Sequence, residues 1–385
     1  MPWATQDLMN KRTEFAMKAV QTDNFRALCR EYEISPRVGY KWRDRFVAEG
    51  LGGMREKSRR PHGSPEKVEE EVVCRIVRLK QRHMKWGPQK LRDIYLQQHG
   101  KGPSESSFKR ILEKCGLTEK RKVRRSVEPG RIASGRKAQA CNEVWTVDFK
   151  GWWHDREGRC EPLTVRDEYS RYVLELRALP DARTETVRAC FEQLFERHGM
   201  PEAIRSDNGV PFASVQGLLG LSRLSAWWLA HGIDLERSRP GCPQDNGGHE
   251  RFHRDVAGEL EGVDHEERQP AFEVWRREFN QERPHAALGM KRPAQVYENS
   301  TRKWQGPVEQ LHYPKMETRR VHKAGHITYD GQAIFLSAAL GGWDVGLRRH
   351  DVESLEVHFS HLHVGMLELT THSFAPVTIN PMSPN

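Results

Sequence analysis

The sequence contains no apolar run approaching the roughly 20 residues needed to cross a bilayer. Its start, MPWATQDLMNKR, has no apolar centre of the kind a secretory signal carries. A cytoplasmic location with no membrane partner is expected. Cysteine is sparse: Cys29, Cys74, Cys115, Cys141, Cys160, Cys190 and Cys242 are odd in number, widely spaced and include no CxxC pair. Neither a disulfide framework nor a zinc knuckle is indicated. No internal repeat of fixed period occurs. Acid is outnumbered, with 53 Asp and Glu against 62 Lys and Arg, giving a formal charge of +9 and a pI near 9.2. That balance favours a polyanionic partner without identifying it. A hydrophobic content of 37% argues against wholesale disorder, and 385 residues predict two to four domains.

Residues 11–50 carry apolar side chains at largely three-to-four-residue spacing: Phe15, Ala19 and Val20, then Phe25, Leu28 and Cys29, then Val38, Trp42, Phe46 and Val47. Between the last two groups, Ser35 can cap a helix and Pro36 can occupy its first turn. The pattern predicts a helix-turn-helix unit over 1–53 whose second helix runs from Pro36 to about Glu49. That helix carries Arg37, Lys41, Arg43 and Arg45, the make-up of a major-groove recognition helix, with Tyr40, Trp42 and Phe46 available for packing. The bland alternative is a solvated face of a three-helix bundle.

Residues 54–66, including Arg59 and Arg60, are basic and broken by Pro61 and Pro65, and read as a linker able to follow phosphates. A second helical unit is expected over 67–119. Val72 to Leu79 form one apolar helix, Trp86-Gly87-Pro88 breaks the pattern, and Leu91 to Leu96 form another. A third runs from Ser104 to Leu117, although Ser107 is a poor partner for a capping box. The stretch 120–138 is a basic arm with Lys120, Arg121, Lys122, Arg124 and Arg125 and a single acid, Glu128.

From residue 139 to about 300 the pattern becomes α/β. Short strands are expected at 143–151, 162–166, 172–178, 203–205 and 233–236, with helices at 184–198, 218–231, 246–260 and 270–280. Residues 308–372 alternate between turn signals at Gly325, Asp330-Gly331 and Gly341-Gly342, which predicts a small β-barrel. Residues 376–385 read as a loose tail.

Three acids stand out within the α/β stretch. Asp148 lies in the strand Val144-Trp145-Thr146-Val147-Asp148-Phe149, where a carboxylate is costly to bury unless paired or bound to a cation. Asp207 precedes the turn Asn208-Gly209, whose glycine lets backbone pass close to a ligand. Glu250 opens a helix behind Asp245-Asn246, which can cap it. Hard Mg²⁺ or Mn²⁺ accepts such carboxylates while keeping waters and substrate phosphates as further ligands. Two such ions suit in-line displacement at phosphorus. Taken singly, each acid has a structural alternative: a core hydrogen-bonding residue, a turn residue and a helix-dipole partner. Asp167 and Glu168 read as structural acids.

Together with Leu28-Cys29-Arg30-Glu31, Gly39-Tyr40-Lys41-Trp42 and Ser58-Arg59-Arg60-Pro61, these segments resemble bacterial insertion-sequence transposases. The core motifs are Trp145 to Gly151, Arg205 to Gly209, Pro240 to Arg251 and Asn280 to His285. Such transposases carry a retroviral-integrase-type Asp-Asp-Glu core on a ribonuclease-H-like fold. The resemblance spans most of the chain and places the family's acids on Asp148, Asp207 and Glu250. It implies two divalent cations, Mg²⁺ or Mn²⁺, and double-stranded DNA partners, namely element ends and target. It further implies DNA cleavage and strand transfer for transposition, a homo-oligomeric synaptic complex, and a bacterial, nucleoid-associated location.

The Asp207-to-Glu250 stretch is longer than the commonest integrase-type spacing, and a surplus at Ser214 to Leu224 would explain it. Asp245 is the nearest rival for the last acid, but its position suits capping. Arg251 and Arg254 share a helix face beside Glu250 and are candidates for phosphate contact. His249 and His253 form an i,i+4 pair, but with no third ligand apparent and no HExxH order a zinc hydrolase is rejected. The alternatives to a transposase are a non-catalytic DNA-binding regulator derived from one and a ribonuclease-H-like nuclease.

Overall fold

The computed structural model describes residues 5–57, 68–118, 136–149, 153–155, 158–238 and 247–377. They fall into two compact units, residues 1–69 and 70–385. The first holds α1 (Thr5–Gln21), α2 (Phe25–Glu31) and α3 (Pro36–Glu49). Asn24 caps α2 by accepting from the Ala27 N–H, and Ser35 caps α3 by accepting from Val38, with Pro36 in the first turn. Phe15, Ala16, Ala19, Leu28, Cys29 and Trp42 close the core.

Gly39 is the contact point of α3. A Cβ there would lie 2.6 Å from Cys29 Sγ and 3.0 Å from the Phe25 ring. Gly39→Leu is therefore expected to overpack this core and cost about 1–3 kcal/mol. The unfolding transition of the N-terminal unit, followed by calorimetry on the whole chain, checks it.

The second unit opens with α4 (Glu70–Arg82), α5 (Pro88–His99) and α6 (Glu105–Lys114) around Ile76, Leu79, Trp86, Leu91, Phe108 and Leu112. The Trp86-Gly87-Pro88 break is held from beneath by Lys80, whose Nζ donates to the Trp86 carbonyl at 2.9 Å. Ser104 caps α6 by accepting from the Ser107 N–H, and the two serine hydroxyls meet at 3.1 Å.

The α/β part is built from β1 (Val144–Phe149), β2 (Trp153–Asp155), β3 (Gly158–Cys160), β4 (Pro162–Asp167), β5 (Val173–Ala178), α7 (Thr184–His198), β6 (Ala203–Ser206), α8 (Arg223–Ala230), β7 (Asp234–Arg237), α9 (Gly247–Leu260) and α10 (His265–Gln281). One sheet has the order β5-β4-β1-β6-β7. Its first three strands are antiparallel, and β1, β6 and β7 run parallel. The hairpin β2–β3 is an element the sequence reading did not resolve.

Period-two alternation sorts the side chains of β1. Trp145 and Val147 pack with Phe191, Leu194 and Phe195 of α7 and with Leu224, Trp227 and Trp228 of α8. Thr146 and Asp148 take the opposite parity, in register with Arg166 and Thr164 of β4. Helices α9 and α10 supply the second core, Phe252, Val256, Leu260, Phe272, Trp275 and Phe279, with Val173 and Leu176 of β5.

Two helix boundaries differ from expectation. The helix expected over 218–231 is a single 3-10 turn at Leu218–Gly220, in which Leu219 has φ 52°, followed by α8. Ser222 starts α8 with a reciprocal capping pair to Ser225, so the chain turns before the apolar run begins. Helix α10 begins at His265 rather than Pro270, which lies inside it. The lost hydrogen bond is outweighed by burial of Phe272, Trp275 and Phe279.

At the end of α10, Asn280 is buried and completes the edge of β5, accepting from Val173 N–H and donating to the Val173 carbonyl, both at 2.9 Å. His285 packs on Phe279, and burial, then Lys90 and Arg283, lower its pKa to about 3. A base depressed in the folded state stays neutral while its unfolded counterpart takes up a proton below about pH 6.5. Stability is therefore lost as pH falls from about 6.5 toward 3. His285→Gln is expected to flatten that acid limb by about 2 kcal/mol at pH 5, read from urea midpoints between pH 7 and 5.

The C-terminal part contains β8 (Glu317–Arg320), β9 (His326–Tyr329), β10 (Gln332–Phe335), β11 (Asp344–Arg349), β12 (Ser354–Phe359), β13 (Leu362–Glu368) and β14 (Ser373–Pro376). It does not form the expected barrel. Five strands make an open antiparallel sheet, β14-β13-β12-β11-β8, and β9 and β10 form a separate ribbon. The apolar face, with Val345, Leu347, Val357 and Phe359, is covered by Leu218, Leu221, Ala226, Leu229 and Ala230. Helix α8 thus contributes to two cores, and Ile327 and Ile334 of the ribbon, with Leu336 and Leu340, share the second of them. The edge strand β8, Glu-Thr-Arg-Arg, is largely exposed and charged, which disfavours further pairing. Among the described residues no helix is long and apolar enough to cross a membrane.

Candidate active site

Asp148 sits near the end of β1, and its backbone carbonyl accepts from the Thr164 hydroxyl of the neighbouring strand at 2.8 Å. Asp207 follows β6 directly. Extending the parallel pairing Thr146↔Arg205 by two residues brings Asp207 abreast of Asp148. The Asp207 turn is fixed by Gly209 N–H, which donates to Oδ1 at 3.0 Å, and by Asn208 Nδ2, which donates to the Ser238 carbonyl at 2.8 Å. Glu250 lies in the first turn of α9 and is exposed, while His249 and Phe252 beside it are buried.

The three carboxylates interact. Burial pushes the Asp148 carboxyl up to about 7, the charge of Asp207 adds to the rise, and Glu250 and Glu161 add smaller amounts. The Phe149 N–H acts in the opposite direction. These acids, with Arg237 as a cation neighbouring Asp207, form a donor set that fits a hard divalent cation.

The start of α9 is held by Arg166, Thr146 and Thr164, which the sequence reading did not single out, together with the His249–His253 pair that it did. Arg166, on the same sheet face, donates to the Gly248 carbonyl at 2.9 Å and pairs with Glu168 at 3.1 Å. His249 is wholly buried between two threonines: Nε2 is 2.6 Å from Thr164 Oγ1 and Nδ1 is 2.9 Å from Thr146 Oγ1. Burial, then His253 and Arg166, drive its pKa well below the ordinary value. His253 places Nε2 2.8 Å from the same Thr164 oxygen and Nδ1 3.9 Å from Asp148 Oδ2.

Comparison with known proteins agrees with this architecture. Integrase core domain models match residues 138–243 and 231–293, a span that includes all three acids. A helix-turn-helix domain model matches residues 11–62 and a homeodomain-like domain model residues 38–112. The chain is 27% identical over 256 residues to the insertion element IS476 uncharacterized 39.2 kDa protein of Xanthomonas euvesicatoria, covering 65% of this chain and 71% of that one. It is 24% identical over 238 residues to the insertion element IS407 uncharacterized 31.7 kDa protein of Burkholderia multivorans, covering 60% and 82%. These matches support an insertion-sequence transposase with a retroviral-integrase-type core. Among solved structures, the catalytic core domain of BIV integrase is similar at 22% identity and a TM-score of 0.31, over 40% of this chain and 93% of that one.

The remaining candidate residues fall into three groups. Arg37 and Lys41 are exposed one turn apart on α3, whereas Arg43 is partly covered, paired with Asp44 at 2.9 Å and lying over the Tyr40 ring. Arg251 and Arg254 are exposed on α9 next to Glu250. Arg59, Arg60, Lys120, Arg121, Lys122, Arg124 and Arg125 lie outside the described residues, as does Asp245.

The structure also supplies what the sequence reading found missing from the His249–His253 pair. Asp148 is the third group, with ligand atoms of all three within 4.8 Å of one another. It comes from a strand far away in sequence, which i,i+4 spacing alone does not reveal. Asp167 is structural as expected, accepting from Asn142 N–H at 2.8 Å and Ser170 N–H at 2.7 Å.

Proposed function

We propose that this chain is a DNA transposase that cleaves DNA and transfers strands by in-line phosphoryl transfer. The observation that supports this reading is the meeting of Asp148, Asp207 and Glu250 in one electrostatic field, with the Asp148 carboxyl pushed up to about 7 by burial and then by Asp207. Asp148, Asp207 and Glu250 would hold two divalent cations, Mg²⁺ or Mn²⁺. Bound there, the pair would activate the attacking oxygen and stabilise the departing one.

The chain's own residues do the positioning. Arg251 and Arg254, exposed on the helix that carries Glu250, engage phosphates flanking the scissile bond. Arg37 and Lys41 on α3 engage the element end, with Arg43 braced against Tyr40. Arg59 and Arg60 of the linker and Lys120, Arg121, Lys122, Arg124 and Arg125 of the arm follow the backbone and make binding strongly salt-dependent. Arg166 and His249 keep α9 seated so that Glu250 faces the strand ends. The domain division is that of two helical units at 1–53 and 67–119, a linker at 54–66, an arm at 120–138 and a catalytic core at 139–300, followed by the C-terminal sheet domain at 308–372. Synapsis of two element ends calls for a homo-oligomer.

Incubating the whole chain with duplex DNA bearing element ends, target DNA and Mg²⁺ or Mn²⁺ tests the reading. Joined products that disappear on chelation are expected. DNA binding without reaction under either cation would instead identify a regulator, and cleavage without joining a nuclease.

A further inference from the structure

We infer that the second helical unit is clamped to the α9–α10 helix pair, and that this clamp fixes which phosphodiester of an element end lies at Asp148, Asp207 and Glu250. The inference rests on the strand-transfer reading above. It gives His83, Lys90 and Glu278 a positioning role that neither the motifs nor the helix-turn-helix pattern assigns.

The unit α4–α6 has two sides with different surroundings. On one, Lys109 and Arg110 of α6 are exposed, while Phe108 and Leu112 of the same helix are buried in the unit's own core. As the last helix of its helix-turn-helix, α6 holds the position of a groove-reading helix. The other side, formed by the turn after α4 and by α5, meets the helix pair that carries Glu250.

Three contacts define that side. His83 places Nδ1 3.0 Å from Glu278 Oε1 of α10. Its side chain is only 9% exposed and its ring is stacked on Trp86 at 4.0 Å, so the group that meets Glu278 is itself fixed to the unit's core. Lys90 of α5 lies among the charges of the pair: burial and then Arg283 push its amine down to about 8, Asp255 and Glu259 of α9 act in the opposite direction, and Arg251 lowers it further. Gln97, near the end of α5, bonds the Arg292 guanidinium beyond α10. Lys90 and Gln97 stand two turns apart on one face of α5, roughly 10 Å along its axis. A single contact would let the unit pivot, whereas contacts spaced along a helix oppose it. Polar and charged pairs of this kind fix register more than they add affinity.

The consequence is a fixed distance. Successive phosphates of one strand are about 3.4 Å apart along the duplex axis, so a reading helix displaced by that much presents the neighbouring bond to the catalytic acids. With α6 seated on bases and α5 clamped to the helix that bears Glu250, protein geometry sets the number of base pairs between the recognised sequence and the cut.

The test is strand transfer by the whole chain, with duplex DNA bearing element ends and Mn²⁺, the products being sequenced so that each junction is assigned to one phosphate. The parent is expected to join at a single phosphate. Glu278→Ala, at a partly exposed position of α10, should keep DNA affinity within about twofold but spread the junctions over about one to two neighbouring phosphates. Glu278→Gln keeps an oxygen acceptor for His83 and should keep the single junction. Lys90→Met removes the second contact, should spread the junctions as Glu278→Ala does, and serves if that variant does not fold. A single, unshifted junction in folded Glu278→Ala and Lys90→Met would overturn this inference and leave the functional reading intact. Faster joining by these variants at an unchanged phosphate would also overturn it, since it marks a contact that must open before reaction. No joined product from the parent with either Mn²⁺ or Mg²⁺ would remove the strand-transfer reading, and this inference with it.

Discussion

Asp148→Asn is expected to abolish strand transfer, with a fall of at least about 10³-fold, while DNA binding is retained and the cation-free protein becomes more stable. The loss follows from removing an anionic ligand from the charge that organises the reaction, where several kcal/mol of transition-state stabilisation is at stake. The gain follows from electrostatics. A carboxyl raised from an ordinary value near 3.8 to about 7 binds its proton more tightly in the folded state. The fold is therefore fully favoured below about pH 3.8 and loses stability as pH rises through about 7. A shift of that size corresponds to at most about 4 kcal/mol, and coupling to Asp207 together with partial exposure reduces it to about 1–3 kcal/mol. Asparagine keeps the shape without the charge. In EDTA at pH 8 the variant should melt above the parent, the two should converge at pH 4, and Mn²⁺ should raise the parent's Tm more than the variant's. Retained strand transfer, or a parent Tm that ignores Mn²⁺, would remove Asp148 from the catalytic role.

Much of this arrangement was legible locally because local chemistry determines it. Ser35 and Pro36 announce the start of α3, and the structure begins that helix at Pro36 and ends it at Glu49. The strands β1, β4 and β5 follow their β-branched and aromatic runs because those side chains fill one continuous core with α7 and α8. What was not legible depends on pairing between distant segments. Thr146, Thr164 and Arg166 form a polar stripe on the α9 face of the sheet, and the stripe is visible only once β1 and β4 are set in antiparallel register. Their alternation with Trp145, Val147, Leu163 and Val165 was the available signal: polar residues at every second position of otherwise apolar strands require partners. The i,i+4 histidines of α9 are those partners, and their match to the stripe explains why the pair occurs without the metalloprotease order. The C-terminal strands illustrate the opposite error. Their alternation is real, but alternation does not distinguish a sheet that closes on itself from one that α8 and the β9–β10 ribbon cover.

Arg283 carries the second large expectation. The Asn280 to His285 motif reads in sequence as a family mark with no stated task, and the structure gives it one. The Arg283 side chain is 4% exposed, with Nη2 2.8 Å from Asp255 and Nη1 3.4 Å from Glu259. Those acids lie one turn apart on α9, and Glu259 also accepts from Trp275 Nε1 of α10 at 2.6 Å. The guanidinium therefore fastens the helix that presents Glu250 to the end of α10. Replacing it with methionine keeps most of the volume but takes the guanidinium from Glu259, 18% exposed, and Asp255, 35% exposed, leaving Lys90 as a neighbouring cation, a change expected to cost about 1.5–3 kcal/mol. Arg283→Met should lower the urea midpoint accordingly. Because α9 is loosened at the end remote from Glu250, strand transfer should fall more steeply than DNA binding at temperatures where the variant is still folded. Adding Glu259→Gln to Arg283→Met should restore part of the stability, since one stranded charge is then gone. A loss below about 1 kcal/mol, or a second substitution that adds its full cost to the first, would mean that Arg283 and Glu259 act independently and that the position of α9 is set by its apolar face alone.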